Sequence, residues 1–200
     1  MVFLSIILGY LLGSVSVSIL ISKCFFHDDV RSHGSGNAGA TNVARVFGLR
    51  AGFLTFLGDF LKSVLAMWLG KLLVGDTGLA LAGAACLVGH CFPVFFRFRG
   101  GKAVSAGAAV GLMVDWRLFL ISMAVFLIVA FCWKIASVAS ISAAIVQAAA
   151  ALLFTDSLPL ILLVVFAAAL VIFMHRSNIR RLCAGTEPRF HAGNRKDRES

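Results

Sequence analysis

Long apolar runs broken by short polar stretches make up this chain. The runs cover about 2–22, 51–74, 78–96, 103–114, 117–133, 135–154 and 158–174. An α-helix rises 1.5 Å per residue, so most of them can cross ~30 Å of hydrocarbon. The fourth, at roughly 18 Å, is too short to do so alone. It is either a half-spanning helix propped by its neighbours or one arm of a kinked pair. The pattern predicts an all-α polytopic membrane protein with about seven transmembrane helices, one of them short. Five full spans plus two irregular ones is the alternative count. Both counts are odd, so the termini lie on opposite sides. Residues 1–187 read as a single membrane-embedded domain. Residues 188–200 carry no apolar period and read as a polar cytoplasmic tail.

Composition agrees with this picture. Hydrophobic residues make up 60% of the 200, and mean hydropathy is +0.96, beyond the range of soluble domains. The net charge of +9 does not indicate nucleic acid. The cations sit in short loops between apolar runs, where the positive-inside rule accounts for them. With the N-terminus outside, fifteen of the eighteen lysines and arginines fall on the inner side, while Asp76, Asp115 and Asp156 mark outer turns. The first run has no basic residue ahead of it and Lys23 behind it, the order of a retained helix with an external N-terminus rather than a cleaved signal. Five scattered cysteines without CxxC spacing predict no disulfide framework. The histidines show no HExxH pattern, so no protein-held metal is expected. Glycines four apart (Gly9/Gly13, Gly48/Gly52, Gly107/Gly111) predict close helix packing within one bundle. No obligate protein partner is inferred.

Three polar islands carry the candidate chemistry: Ser32 to Gly48, Gly89 to Val104 and His175 to Glu187. The first holds Gly34, Gly36 and Gly39 in a literal G-x-G-x-x-G. No strand precedes it and no βαβ unit surrounds it, so a dinucleotide fold is excluded. Its glycines still let backbone N–H groups turn toward an anion. Ser35, Asn37, Thr41 and Asn42 add neutral donors, and Arg45 adds a bidentate phosphate fork. In the second island, Gly100-Gly101-Lys102 fails the full Walker pattern, but it places bare backbone and a lysine at a helix start, which is an anion site. Arg97 and Arg99 read as interfacial cations. For His90, beside Pro93 in a bend, the structural and functional readings stand level. In the third island His175 and Asn178 share a face if the helix continues, and Glu187 is expected to pair with an island arginine. Asp59 and Lys62, three apart inside a span, read as a structural ion pair. Ser137, Ser140 and Ser142 lie at the inner end of the sixth run. They either bond their own backbone or turn one hydroxyl to the site.

The islands match three motifs: G-S-G-N-x-G-A-T-N-x-x-R at Gly34 to Arg45, G-H-x-F-P-x-F-x-x-F-[KR]-G-G-K at Gly89 to Lys102, and H-x-x-N-I-x-R-L-x-x-G-x-E at His175 to Glu187. On these the chain resembles the bacterial acyl-phosphate:glycerol-3-phosphate acyltransferases, the PlsY family. The D-x-x-K of Asp59 and Lys62 fits as well. Ala103, where the family usually has glycine, and Arg99, where lysine is common, depart from it. The resemblance implies a bacterial inner-membrane enzyme with a cytoplasmic-facing site and no cofactor. Its substrates would be glycerol 3-phosphate and acyl phosphate, with membrane lipid around it. It would acylate the 1-hydroxyl to give lysophosphatidic acid and phosphate, the first step of phospholipid synthesis. The implied site residues are Ser35, Thr41, Arg45, Lys102, His175 and Asn178, with Ser140 from the sixth helix.

The donor is a mixed anhydride, so its carbonyl needs little activation, and repulsion between two phosphorylated substrates is the larger obstacle. Arg45 and Lys102 are therefore expected to hold phosphate, and His175 and Asn178 to orient the hydroxyl. The proton acceptor stays open between His175 and a substrate phosphate, and a covalent acyl-Ser35 is not excluded. No histidine has Asp five residues on, so the HxxxxD dyad of the soluble-fold acyltransferases is absent. A transporter of a phosphorylated compound is the non-enzyme alternative.

Overall fold

The computed structural model describes residues 1–189, so the expected tail, beyond Pro188 and Arg189, lies outside the described residues. Nine α-helices carry the fold, and no strand occurs among the described residues. They are α1 (Val2–Ser14), α2 (Val17–Phe26), α3 (Ala40–Phe47), α4 (Leu49–Cys91), α5 (Val104–Val114), α6 (Trp116–Trp133), α7 (Ala136–Phe154), α8 (Leu158–Met174) and α9 (Arg176–Cys183). Four segments are long and apolar enough to cross a membrane: Val2–Phe26, Leu49–Phe96, Trp116–Trp133 and Ala136–Phe154. The bent pair α8 and α9 makes a fifth if counted as one span. The molecule is thus an all-α, multi-pass integral membrane protein.

The 43-residue α4 is not one rod. Val74 (φ −146°, ψ 25°) and Gly75 (φ 61°, ψ −145°) leave helical geometry. Residues eight apart on a straight helix are about 12 Å apart, yet a side chain on Gly70 or Gly78 would collide with the other's carbonyl. The chain therefore doubles back at 74–75, where the sequence separates the runs 51–74 and 78–96. The second arm ends earlier than its apolar run, at Cys91. Pro93 follows, and it can neither donate a backbone N–H nor leave the preceding residue free to stay helical.

Small residues let the first span seat itself on this second arm. A side chain on Gly9 would strike the Ala82 carbonyl, and one on Gly13 that of Cys86. The glycine spacing thus serves packing within the chain. The core gathers Met67, Leu79, Leu87, Val110, Leu118, Leu163 and Val164. Outward, Phe3, Leu72, Phe131 and Leu153 are exposed, as residues facing lipid should be. Trp116 and Trp133, also exposed, stand at the two ends of α6, where interfacial tryptophans belong. The short α5 spans about 16 Å and is propped by its neighbours: Gln147 of α7 donates to the Gly107 carbonyl at 3.0 Å.

Candidate active site

One cavity of about 480 Å³ lies where the three islands meet, lined by Ser35, Thr41 and Arg45 of the first, Lys102 of the second, and His175, Asn178 and Glu187 of the third. Asn37, Gly39, Asn42, Asp59, His90 and Ser140 also line it. Gly34, Gly36, Gly100, Gly101 and Lys62 do not.

The first island is wound around Asn42, which is buried. Its Oδ1 accepts from the Ser35 N–H at 2.9 Å. Its Nδ2 donates to the carbonyls of Val30, His33 and Asn37 at 3.0–3.1 Å. Asn42 therefore holds the loop's shape, a role sequence reading did not give it. Gly34, at φ +59°, sits where a side chain would hit Asn42 Oδ1. The first island also contains α3, so Thr41 and Arg45, four apart on one helical face, both reach the cavity. Arg31 is one of the fifteen inner-side cations of the sequence. Its guanidinium pairs with Asp29 at 2.7 Å and donates to the Phe96 carbonyl at 2.9 Å, tying the turn just ahead of the first island to the second. That pairing holds the Asp29 carboxyl down at about 2. The legible signal was Asp-x-Arg, which recurs at Asp115 and Arg117 with the same side-chain geometry.

The second and third islands are joined by polar contacts. Lys102 Nζ donates to Asn178 Oδ1. Asn178 Nδ2 donates to Glu187 Oε1 at 2.6 Å, and the same oxygen accepts from Ser137 Oγ at 2.7 Å. Arg181 Nε donates to Glu187 Oε2 at 2.7 Å. Burial works to raise the Glu187 pKa, but the three donors outweigh it and the pKa lies below the usual value. Burial, then the nearby Arg181 charge, pull Lys102 down to about 8. The last helix does not run straight on: α8 and α9 meet at 54° around His175. His175 Nδ1 lies 2.7 Å from the Val171 carbonyl. That carbonyl can only accept, so Nδ1 carries the proton and Nε2 of the neutral ring is left as an acceptor. Of the three serines, Ser137 and Ser140 line the cavity, and Ser140 donates its proton to the Ala136 carbonyl at 2.8 Å.

Away from this polar end the walls turn apolar. On α7 the lining runs from Ser137 to Gln147, and on α8 from Val171 to Val164, a trough about 15 Å deep. Phe53 and Leu127 line the cavity while more than half exposed, so it opens sideways between α4 and α6. Phe60 and Phe119, with ring centroids 5.6 Å apart, join the same two helices elsewhere. A cationic, hydrogen-bonding end beside an oily trough accommodates a phosphorylated head group and an acyl chain together.

Comparison with known proteins points the same way. The family described as glycerol-3-phosphate acyltransferase matches residues 3–185. A glycerol-3-phosphate acyltransferase of Geobacillus kaustophilus is 41% identical over 93% of this chain and 94% of its own. One from Burkholderia thailandensis is 42% identical, over 94% and 95%. Among solved structures, PlsY (YgiH), an integral membrane glycerol 3-phosphate acyltransferase, superposes in its glycerol 3-phosphate form with a TM-score of 0.89 at 36% identity, covering 95% of this chain and 96% of that one. Its lysophosphatidic acid form gives 0.87 at 35%, covering 96% of each.

Proposed function

The chain belongs to the glycerol-3-phosphate acyltransferase family and is an enzyme that makes lysophosphatidic acid, and from that premise we propose that its acyl donor is acyl phosphate and its acceptor the 1-hydroxyl of glycerol 3-phosphate. One observation carries the reading: Arg45, Lys102 and His175, from three separated stretches, line a single cavity continuous with an apolar trough. The trough takes the acyl chain. Arg45 and Lys102 neutralise the two phosphates, whose mutual repulsion otherwise keeps the reactants apart. Ser35, Thr41 and the backbone around Gly39 complete the first phosphate's hydrogen bonds. Asn178 and His175 position the hydroxyl.

The hydroxyl oxygen attacks the acyl carbon, the carbon–oxygen bond to phosphate breaks, and inorganic phosphate leaves with the electron pair. Two acceptors stand open for the hydroxyl proton: His175 Nε2, which its partner at Val171 leaves free, and a phosphate oxygen of the substrates. Holding both reactants in line is worth on the order of 7–11 kcal/mol, so no covalent acyl-Ser35 is required.

Seven crossings fit best, with the N-terminus outside. They are α1 with α2, the two arms of α4, short α5, α6, α7 and α8. That arrangement faces the cavity toward the cytoplasm of a bacterial cell, with residues 1–187 as the enzyme and 188–200 as its cytoplasmic end. Purified protein given palmitoyl phosphate and glycerol 3-phosphate should release lysophosphatidic acid and phosphate one for one. Activity with acyl-CoA alone would overturn the donor assignment.

A further inference from the structure

At the cavity wall lies a largely buried cluster that the acyl transfer above does not use: Asp59 and His90, which line it, and Lys62 behind them. An ammonium has three N–H groups and no acceptor. Four groups surround Lys62 Nζ: the Gly13 carbonyl at 3.0 Å, the Val15 carbonyl at 2.5 Å, His90 Nδ1 at 3.3 Å and Asp59 Oδ1 at 2.8 Å. The carbonyls are available because the chain is extended at Val15 and Ser16, between α1 and α2. The three lysine protons are shared among these four acceptors. Asp59 Oδ1, buried and 2.8 Å away, also balances the charge.

A lysine can only donate, so the ring nitrogen facing it accepts. Asp59 Oδ1 lies 3.6 Å from that nitrogen, beyond hydrogen-bond reach. With Nδ1 accepting from Lys62, the ring proton lies on Nε2. Nε2 lies against the Gly101 backbone, one residue before Lys102; a side chain at Gly101 would collide with it. Only 6% exposed overall, His90 still lines the cavity, and no protein group among the described residues accepts from Nε2.

We propose that His90 is a phosphate-binding residue: its Nε2–H, with the tautomer set by Lys62, donates to a substrate phosphoryl oxygen beside Lys102. The proposal rests on the cavity being the phosphate site argued above. The chemistry suits the phosphate of either substrate, glycerol 3-phosphate or acyl phosphate.

Two measurements on the full chain in detergent micelles test it. Nitrogen-15 NMR of the wild-type histidines should show His90 as the Nε2–H tautomer, with its Nε2 signal moving as glycerol 3-phosphate or inorganic phosphate is added. An Nδ1–H tautomer overturns the proposal. So does a His90 signal that stays fixed while that of His175 moves, although the cavity reading then survives. If neither histidine responds to saturating glycerol 3-phosphate, the cavity reading itself falls.

Kinetics supplies the second arm. His90→Asn keeps an acceptor toward Lys62 but removes the cavity donor, whereas His90→Gln returns an amide N–H near the Nε2 position. The Asn variant should raise one substrate's KM at least about tenfold with a smaller change in kcat, and Gln should recover all but about threefold of it. The substrate whose KM rises identifies which phosphate is bound. Equal KM values for Asn, Gln and wild type would sink the proposal.

Discussion

Two polar clusters, built from the same residue types, do opposite things. Around Asp59 and Lys62 the account is closed: one anion meets one cation, with every lysine proton taken by protein. Around Glu187 it is left open. One carboxylate faces Arg181 directly, reaches Lys102 through Asn178, and shares the cavity with Arg45, so cations outnumber anions three to one. In a low-dielectric setting surplus charge is costly unless something arrives to neutralise it. On the proposed reading, phosphorylated substrates supply that charge. Compensation, rather than residue type, then separates the ion pair that holds helices together from the charges that attract ligand.

The sharpest way to break this contrast is at the closed cluster. Asp59→Asn leaves Lys62 charged and uncompensated, and should destabilise the protein by about 3–5 kcal/mol, the usual cost of removing one partner of a buried pair. Thermal unfolding in detergent would read it. Asp59→Leu combined with Lys62→Met removes both charges and should recover much of the loss. A single variant as stable as wild type would mean that the cluster is not closed.

The open cluster should fail differently. Arg45→Ala removes a cation with no carboxylate partner among the described residues, so stability should change by about 0.5 kcal/mol or less. Turnover should fall at least ~100-fold, as a charge-assisted contact to substrate is lost. Near-normal turnover at saturating substrates would refute its role.

Lys102 gives a subtler signature. Its pKa of about 8 means the ammonium is present below pH 8 and lost above it. The KM for glycerol 3-phosphate should therefore climb from about pH 8, up to about tenfold per pH unit. The substrate's own phosphate, with a second pKa near ~6, is already ionised there. Stability should move the other way. The unfolded lysine keeps its proton to higher pH, so between about 8 and 10.5 the unfolded state binds more protons and stability rises with pH. Lys102→Arg should flatten the KM profile. A wild-type KM constant from pH 7 to 9.5 would show that Lys102 does not hold phosphate.

The membrane architecture was legible because partition between lipid and water is written residue by residue. The gap between runs at 75–77 marks the reversal at Val74 and Gly75, and the short fourth run is α5. The site residues were legible as types: glycines, a fork-bearing arginine and a lysine after bare backbone. Their partners were not. Lys102 and Asn178 stand 76 residues apart, and no periodicity reports a contact between loops that distant. Local competition was hidden as well. Ser35, Asn37, Thr41 and Asn42 read alike as donors toward an anion, yet α3 begins at Ala40 and Asn42 turns inward to bond three carbonyls. The bend at His175 likewise follows from packing that no local signal announces.

The smallest expected effect tests whether the open cluster acts as a unit. Ser137 supplies one of three hydrogen bonds to Glu187. Ser137→Ala leaves the carboxylate bound to Asn178 and Arg181, so the loss should be about 1 kcal/mol in stability. Glu187→Gln should cost more, because Arg181 then keeps its charge without a partner. If Ser137 acts through Glu187, the two changes together should cost less than their sum, with a coupling of about 0.5–1.5 kcal/mol. The same shortfall should appear in the KM for glycerol 3-phosphate, because Glu187 reaches Lys102 only through Asn178. Strict additivity in both readouts would mean that Ser137 merely fills space on α7, and that Glu187 positions the third island without help from the sixth apolar run.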